Sequence, residues 1–226
     1  MTFADRLIQE AEPIWAKYYE HPFIQNLIDG SLDRRKFLRY LIQDTLYLKD
    51  YAKVYAHAFT KAEDVEVMRH IYSDMALIMS DETMVHIRYL KDMGWSEAEA
   101  MAEPCAPANE AYLNTMLTAA SEGTLAEGVV SVMACAFSYY FIAKYAKAEG
   151  DRRNSLADNY FSGWIESYAG DMYEKIYSSS YKLCNSVCTT ADEVEAQRLI
   201  DIFLDCSECE LRFWDMAFEE TDIRIA

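Results

Sequence analysis

One cysteine lies in the middle of a long apolar and aromatic segment, SVMACAFSYYFIAKYAK, where it is residue 135. Because residues four apart share a helix face, Cys135 and Tyr139 would project together, with Ser131 one turn earlier and Tyr140 beside them. A thiol in such surroundings either packs as a small apolar side chain or, when ionised, acts as a nucleophile. The segment alone favours packing, so the other polar groups of the chain must decide between these roles.

A first carboxylate in aromatic surroundings is Asp44. Tyr40 stands four residues before it, and Tyr47 and Tyr51 stand three and seven residues after it. These offsets put all four side chains on one helical stripe. An unpaired carboxylate inside a core is costly unless it is hydrogen-bonded or neutral. Asp44 is therefore either satisfied by a tyrosine hydroxyl or a neighbouring amide, or it is kept to bind a ligand.

A second carboxylate in aromatic surroundings is Glu210, which shares a helix face with Phe213 and Trp214. Acidic neighbours supply a solvated side, so a boundary glutamate with a packed stem and a hydrated head is the simpler interpretation when this helix is considered alone. Other aromatic stripes, which usually belong to a core, comprise Tyr160, Trp164 and Tyr168, and Tyr112 with Met116. Each stripe is weak evidence of a site by itself.

Patterns that would bind a metal are weak. Glu66 with His70, and Glu82 with His86, are four residues apart, whereas a di-iron bundle uses Glu and His three apart on two different helices. Surface ion pairs or helix contacts explain these histidines more simply. Cysteines 184, 188, 206 and 209 superficially resemble a zinc pattern, but the last two lie in a helical pattern rather than a Gly-rich turn. We expect no metal and no cofactor.

The elements that must position these side chains are helices. The chain of 226 residues contains seven glycines and four prolines, and neither type occurs over residues 31–93 or 171–226. Such stretches favour long helices over short strands. Apolar residues recur at intervals of three and four nearly throughout, and short loops would join antiparallel neighbours. The sequence therefore predicts an all-α, compact multi-helix bundle.

Capping signals and periodicity predict where the helices begin. Ser96 with Glu99, Thr124 with Glu127, and Thr190 with Glu193 each form a possible capping box. The predicted helices cover about 4–19, 22–29, 33–60, 64–93, 96–102, 107–121, 125–149, 154–168, 170–182 and 190–221, with ends uncertain by roughly two to four residues.

The charge of the chain excludes some classes of partner. Its formal net charge is −17, and no cluster of Lys and Arg interrupts the acidity. Nucleic-acid affinity rests largely on cationic side chains, and anionic membranes attract basic segments, so we expect neither partner. The N-terminal segment has no secretory pattern, and no charge-free apolar stretch of 18 residues occurs. We expect a soluble cytoplasmic protein whose six cysteines are reduced thiols.

Four blocks of the sequence together resemble the thiaminase II (TenA) family, in the subgroup that has a catalytic cysteine. They are PIWAKYYEHPFIQNLIDGSLDRRKFLRYLIQDTLYLKDY, MACAFSYY, YFSGWIESY and ECELRFWDMAF, and their order and spacing cover nearly the whole chain. The resemblance implies a single domain over residues 1–226 with the heme-oxygenase-like all-α fold, assembled as a homotetramer. It implies no cofactor.

The resemblance also implies roles for individual residues. The family's nucleophile matches Cys135, its acid matches Glu210, and its pyrimidine-anchoring aspartate in the QD motif matches Asp44. The aromatic residues of its substrate pocket match Tyr47, Tyr112, Tyr139 and Tyr160, the last with a less certain alignment. One departure is Ala134, where family members commonly have proline. Proline supplies no reactive group, so this departure concerns helix geometry rather than chemistry.

The activity that the resemblance implies is hydrolysis of 4-amino-5-aminomethyl-2-methylpyrimidine, and of thiamin, to the hydroxymethylpyrimidine. Two other classes of function stay open. The fold also hosts oxidative enzymes, dimetal or cofactor-free, which would need carboxylates and histidines on facing helices. The family has also been labelled as a regulator, and a non-catalytic protein of that kind would act indirectly because the acidic charge disfavours contact with DNA.

Overall fold

The computed structural model describes residues 1–79, 83–189 and 192–219. Those residues form α-helices and no β-strand. The helices are α1 (Phe3–Glu20), α2 (Pro22–Asp29), α3 (Arg34–Lys61), α4 (Val65–Leu77), α5 (Thr83–Asp92), α6 (Glu97–Ala102), α7 (Pro107–Glu122), α8 (Leu125–Arg153), α9 (Ser162–Ala169), α10 (Asp171–Val187) and α11 (Glu193–Glu219). The predicted all-α bundle is confirmed.

Helix starts follow the capping signals where the structure describes them. The Thr124 hydroxyl accepts from the Glu127 amide at 3.2 Å, and Ser96 accepts from the Glu99 amide at 3.2 Å. In both boxes the glutamate reaches back to the capping amide, which satisfies two donors at the helix end. The box predicted at Thr190 lies outside the described residues.

The predicted helix over 154–168 is wrong in its first half. Helix α8 continues to Arg153, and Asn154 then adopts the left-handed conformation with φ of 52° and ends the helix. Asn tolerates this conformation better than most residues other than glycine. The chain runs through turns until α9 begins at Ser162. The predicted helix over 64–93 is seen as α4 and α5, and its centre at 80–82 lies outside the described residues.

Helix α8 forms the centre of the bundle and packs against α3, α7, α9, α10 and α11. Its length and composition alone would let it cross a membrane, but 83% of its apolar window is buried among the other helices. That burial is the pattern of a core helix. The side chains of α8 therefore point into the interior on several sides at once.

A glycine permits the close crossing of three helices. A Cβ atom built on Gly128 of α8 would lie 3.2 Å from the Cα atom of Ala120 in α7 and 3.6 Å from the Cβ atom of Ala58 in α3. Contacts near 3.2 Å are tighter than ordinary packing, so glycine suits this crossing. Small residues thus bring α3, α7 and α8 together at one end of the core.

Candidate active site

Glu210 is a buried acid on α11. Its side chain is 2% exposed, and burial raises its pKa to about 7, while the nearby hydroxyls of Tyr112 and Tyr139 act in the opposite direction. The Tyr112 hydroxyl lies near this carboxyl but makes no hydrogen bond of standard geometry to any described residue. Glu210 can therefore hold a proton near neutral pH. The boundary interpretation, with a hydrated head, is wrong.

Helix α1 fixes the part of α11 that carries this acid. Ser207, one turn before Glu210, is fully buried. The Trp15 indole donates to the Ser207 hydroxyl at 3.3 Å, and the Tyr18 hydroxyl donates to the Ser207 carbonyl. Because both the side chain and the backbone carbonyl of Ser207 are hydrogen-bonded to α1, the rotation and translation of α11 are restrained. The carboxyl of Glu210 is consequently held by groups outside the site.

Asp44 lies on α3 and is 4% exposed. The Tyr40 hydroxyl donates to its Oδ2 atom at 3.4 Å, and the Nε2 atom of His86 lies 3.3 Å from the same oxygen. The Trp164 indole donates to the Tyr40 hydroxyl at 3.2 Å. Tyrosine and histidine thus partner a carboxylate that would otherwise be unfavourable in an apolar interior.

His86, on α5, is a site residue that the sequence analysis missed. It is fully buried, and burial lowers its pKa to about 4, so the ring is neutral at physiological pH. Its Nε2 atom also lies 3.0 Å from the Tyr168 hydroxyl, while Nδ1 has no partner among the described residues. These partners favour the tautomer with hydrogen on Nε2. Of the two interpretations given for His86, a surface ion pair or a helix contact, its burial rules out the first and agrees with the second, while Glu82 lies outside the described residues.

A signal for His86 was present in the sequence. Tyr89, Leu90 and Met93 follow it at three, four and seven residues, and all three are buried. This is the stripe rule that identified Asp44, applied to a histidine. The other pairing expected on this part of the chain also differs, because Glu66 pairs with Arg69 rather than with His70.

Cys135 lies on α8 and is 7% exposed. Burial raises the pKa of Tyr47 and of Tyr112, and the charges of Cys135 and Glu210 raise both further. The thiol and the acid therefore face the same two phenols. Of the residues expected around the thiol, Tyr140 instead stacks on Tyr177 with ring centres 4.2 Å apart. The surroundings of the buried Cys135 thiol thus include titratable side chains as well as apolar ones.

Tyrosine rings from three helices lie close to these groups. The rings of Tyr47 on α3 and Tyr112 on α7 have centres 5.2 Å apart. Tyr139 on α8 lies 5.6 Å from Trp214 of α11 and 5.3 Å from Tyr168 of α9. Burial raises the pKa of Tyr139, and the charges of Tyr40, Glu210, Asp44 and Cys135 all add to this rise. Tyr139 therefore stands within electrostatic range of all three predicted functional groups.

Tyr160 is the one predicted pocket residue that lies apart from the others. It follows α8 in the turn segment, its hydroxyl donates to Asp92 at 2.6 Å, and the guanidinium carbon of Arg34 lies 3.9 Å from its ring centre. Its aromatic neighbours are Tyr89 and Phe161. The structure brings together Cys135, Glu210, Asp44, Tyr47, Tyr112 and Tyr139, but it does not bring Tyr160 to them.

Gln43, next to Asp44, links α3 to the start of α7. Its amide donates to the Pro104 carbonyl at 2.9 Å and its carbonyl accepts from the Ala106 amide at 2.8 Å. Asn109 of α7 donates to the backbone carbonyl of Gln43 at 2.8 Å. These bonds give both polar atoms of the buried Gln43 side chain a partner. The same turn of α3 thus carries the site aspartate and the support of the helix that bears Tyr112.

Beyond Cys135 lies a small cavity between α3, α4, α8 and α10. Its walls comprise Tyr51, Tyr55, Asp74, Leu77, Ile78, Cys135, Ala136, Tyr173 and Ile176. Asp74 is the only acid among them, and sequence analysis missed it. A signal existed, since Ile71 and Ile78, both buried, place Asp74 on the apolar stripe of α4.

The cysteines form no disulfide. Cys184 and Cys188 lie at the end of α10, and Cys206 and Cys209 lie on α11. Across residues 1–79, 83–189 and 192–219 no group of three or more His, Cys, Asp or Glu side chains is placed to hold a metal ion. In the same residues, the Cys135 thiol and the carboxyls of Asp44 and Glu210 all act on Tyr139, and the neutral imidazole of His86 lies beside Asp44.

The arrangement suits addition of a thiol to a flat heterocycle. Aromatic rings can stack on such a ring, a carboxylate can accept from its amino group, and a carboxyl that is protonated near pH 7 can give a proton to a ring nitrogen. A thiol in the same interior supplies the nucleophile. The required groups come from α8 itself and from α3, α7 and α11, the three helices that pack against it at this point.

Comparison with known proteins agrees with this arrangement. The model of the TENA/THI-4/PQQC family matches residues 8–220. A relative from Halalkalibacterium halodurans, named aminopyrimidine aminohydrolase, is 35% identical and covers 97% of each chain.

Two solved structures have the same fold. A TenA homologue from P. horikoshii OT3 has a TM-score of 0.86 and 28% identity, covering 96% of this chain and 99% of its own. A domain with a heme oxygenase-like fold from Shewanella denitrificans, 14% identical, has a TM-score of 0.74 and covers 95% of this chain and 91% of its own. This second likeness confirms the predicted heme-oxygenase-like fold.

Proposed function

Because this chain belongs to the TENA/THI-4/PQQC family, we propose that it is an aminopyrimidine aminohydrolase that acts in thiamin salvage. The relative of that name, similar over nearly the full length, supports the class of reaction. The observation that carries the proposal is that Asp44, Cys135 and Glu210 all lie near enough to Tyr139 for their charges to raise its pKa. The substrates we propose are 4-amino-5-aminomethyl-2-methylpyrimidine and thiamin, which share the pyrimidine and differ in the leaving group.

The first chemical step is activation of the ring. Water displaces an amine from the methylene slowly, because neither partner is activated. A proton on a ring nitrogen makes C6 electrophilic, and Glu210, with its pKa of about 7, is protonated often enough at neutral pH to supply it. Burial among tyrosines keeps the carboxyl away from bulk water. Glu210 therefore acts as the general acid.

The second step is addition of the Cys135 thiolate to C6. In the adduct, the C4–C5 electron pair shifts to form a double bond from C5 to the methylene while the exocyclic amino nitrogen forms a double bond to C4, and the C–N bond of the methylene breaks with its pair on the leaving nitrogen. Water then adds to the methylene, the ring returns its proton to Glu210, and the C6–S bond breaks. Cysteine suits both roles because a thiolate attacks and leaves readily.

The third requirement is orientation of the ring. Asp44 accepts a hydrogen bond from the exocyclic amino group, and Tyr40 and His86 hold the carboxylate in place through contacts of 3.4 and 3.3 Å. Because His86 is neutral, it does not cancel the negative charge that attracts the amino group. Tyr47, Tyr112 and Tyr139 stack around the pyrimidine.

Incubation with each substrate tests the function. The purified protein is given thiamin in one reaction and the aminomethylpyrimidine in another, and the hydroxymethylpyrimidine formed is measured in both. We expect product from the aminomethylpyrimidine, and the ratio of the two rates gives the preferred substrate. Absence of product from both substrates would overturn the proposal.

Substitution of the ring anchor should chiefly affect binding. We expect Asp44→Ala to weaken binding of the hydroxymethylpyrimidine product about 10- to 100-fold, the equivalent of losing one charge-assisted hydrogen bond of about 1.5–3 kcal/mol. Calorimetric titration measures the dissociation constant. Asp50→Ala is the matched control, because Asp50 lies on the same helix and pairs with Lys53 away from the site. An unchanged dissociation constant in Asp44→Ala would remove the anchor role.

The assembly we propose is a homotetramer. Helices α4 and α10 pack against each other, and large apolar side chains are exposed at Tyr72 on α4, at Met79 just after α4 and at Met172 on α10. Exposed apolar groups gathered on neighbouring helices support burial against other copies of the chain. Light scattering after size-exclusion chromatography should give the mass of four chains, and a monomer mass at micromolar concentration would contradict the tetramer.

A further inference from the structure

The proposed mechanism leaves one buried carboxyl without a role. Asp74, on α4, is 2% exposed. Its Oδ1 atom accepts from the Ser179 hydroxyl of α10 at 2.9 Å, while Oδ2 is buried and has no hydrogen-bond partner in the described part of the chain. A buried carboxylate oxygen without a donor is unfavourable, so its retention calls for an explanation.

The surroundings of Asp74 suit a cation. It lines the same cavity as Cys135, together with the tyrosine rings of Tyr51, Tyr55 and Tyr173. Carboxylate and aromatic faces both attract positive charge. Burial raises the pKa of Asp74 to about 6, while the Ser179 hydroxyl, the charge of His70 and the nearby Ser180 hydroxyl oppose the rise, so the carboxyl is mostly ionised at neutral pH. A protonated amine would supply both the charge and the missing donor.

The chemistry places the leaving group near this cavity. In the proposed reaction the thiol adds to C6, and the methylene is attached to the adjacent carbon C5. The leaving nitrogen therefore lies within a few bond lengths of the Cys135 sulfur. Among the described residues that line the cavity adjoining Cys135, the one acid is Asp74. This step rests on the proposed function, because only that function puts the pyrimidine C6 at Cys135.

We propose that Asp74 is a specificity-determining residue that binds the primary ammonium of the substrate's aminomethyl group. The ammonium donates to the Oδ2 atom, and Ser179 holds the carboxylate in position. The thiazolium of thiamin also carries positive charge but has no N–H group, so it gains less from this carboxylate. Asp74 accordingly favours the aminomethylpyrimidine over thiamin.

The reaction balances with the ammonium form. The C–N bond of the methylene breaks with its electron pair on nitrogen, so the ammonium departs as neutral ammonia. The methylene carbon gains hydroxide from water, and the remaining proton of that water converts ammonia to ammonium. Asp74 binds the cation before cleavage and ends the cycle as a carboxylate, with no oxidant or further reactant involved.

The first arm of the test measures turnover. In Asp74→Asn, kcat/KM for the aminomethylpyrimidine should fall about 10- to 100-fold, and the fall for thiamin should be at least about tenfold smaller. A purely structural defect would lower both values alike. Equal losses for the two substrates, or no loss for the aminomethylpyrimidine, would overturn the role of Asp74.

The second arm measures binding without turnover, in the Cys135→Ser background. The aminomethylpyrimidine is compared with 4-amino-2,5-dimethylpyrimidine, in which a methyl group replaces the aminomethyl group. Adding Asp74→Asn should raise the dissociation constant of the first ligand about 10- to 100-fold and change that of the second less than about threefold. Parallel changes, or no change, would refute the inference.

The two arms separate this inference from the proposed function. If the wild-type protein hydrolyses neither substrate but the selective loss of binding is found, the proposed hydrolase activity is refuted and the ammonium site is supported. If turnover is found without the selective loss, the hydrolase activity is supported and the ammonium site is refuted. Binding of neither pyrimidine would overturn both.

Ser179→Ala is the matched structural control. It removes the same contact between α4 and α10 but leaves the carboxylate. We expect the aminomethylpyrimidine to bind less than about fivefold more weakly in this variant, a smaller loss than in Asp74→Asn, because the carboxylate and its charge remain. A loss in Ser179→Ala as selective as that in Asp74→Asn would assign the preference to packing of α4 and not to the charge. Thermal unfolding of each variant verifies that the fold is retained.

Discussion

Replacement of Cys135 by serine should lower kcat/KM for the aminomethylpyrimidine by about 10³-fold or more. A serine hydroxyl is far less ionised than a thiol at neutral pH and leaves less readily from the ring adduct. The substituted side chain keeps nearly the same volume in the core of α8, where Cys135 is 7% exposed. Initial rates of hydroxymethylpyrimidine formation measure the change.

Binding of the product should persist in the same variant. Asp44, Tyr47 and Tyr139 are unchanged in Cys135→Ser, so the dissociation constant of the hydroxymethylpyrimidine should stay within about threefold of the wild-type value. Cys105→Ser is the control, because it makes the same change at an exposed cysteine that has no role in the proposed reaction. Near-normal turnover by Cys135→Ser would eliminate the thiol as nucleophile.

Glu210→Gln should reduce kcat/KM by about 10²- to 10⁴-fold. Glutamine has the same shape as the protonated acid and can still contact the hydroxyls of Tyr112 and Tyr139, but it has no proton to give to the ring. Its neutral amide also lacks the burial cost of a carboxylate, so the variant should fold at least as stably as the wild type. A loss of activity without a loss of thermal stability distinguishes the chemical role from a structural one.

The pH profile tests the same assignment with a definite sign. Glu210 must be protonated to act as an acid, and its pKa of about 7 means that the protonated fraction falls as the pH rises through 7. Wild-type kcat/KM should therefore decline on the alkaline side, with an apparent pKa near 7. Glu210→Gln should lack this alkaline limb. Persistence of the limb in the variant would assign it to another group.

The helical architecture was predictable because its signals are local. Capping boxes at Ser96 and Thr124 and the scarcity of glycine and proline depend only on neighbouring residues, and the structure agrees with them. The turn segment before α9 was not predicted because it depends on Asn154 adopting a left-handed conformation. Apolar periodicity continues past this residue, so periodicity alone cannot locate the break.

The site was predictable where a polar residue interrupts an apolar stripe of one helix. Asp44 and Glu210 were singled out in this way, although the pattern alone favoured a boundary position for Glu210, and both side chains are buried. His86 and Asp74 carry the same signal, but their importance depends on partners from other helices, namely Tyr168 on α9 and Ser179 on α10. Contacts between distant helices are not encoded in the spacing of residues along one of them.

The helix crossing at Gly128 affects the spacing of two aromatic rings of the candidate site. Gly128 meets Ala120 of α7 and Ala58 of α3, the two helices whose rings, Tyr112 and Tyr47, lie 5.2 Å apart. A methyl group at position 128 would act as a wedge between helices and would move the Tyr112 ring away from the Tyr47 ring. The spacing of these two rings thus depends on a hydrogen atom two helical turns from the thiol.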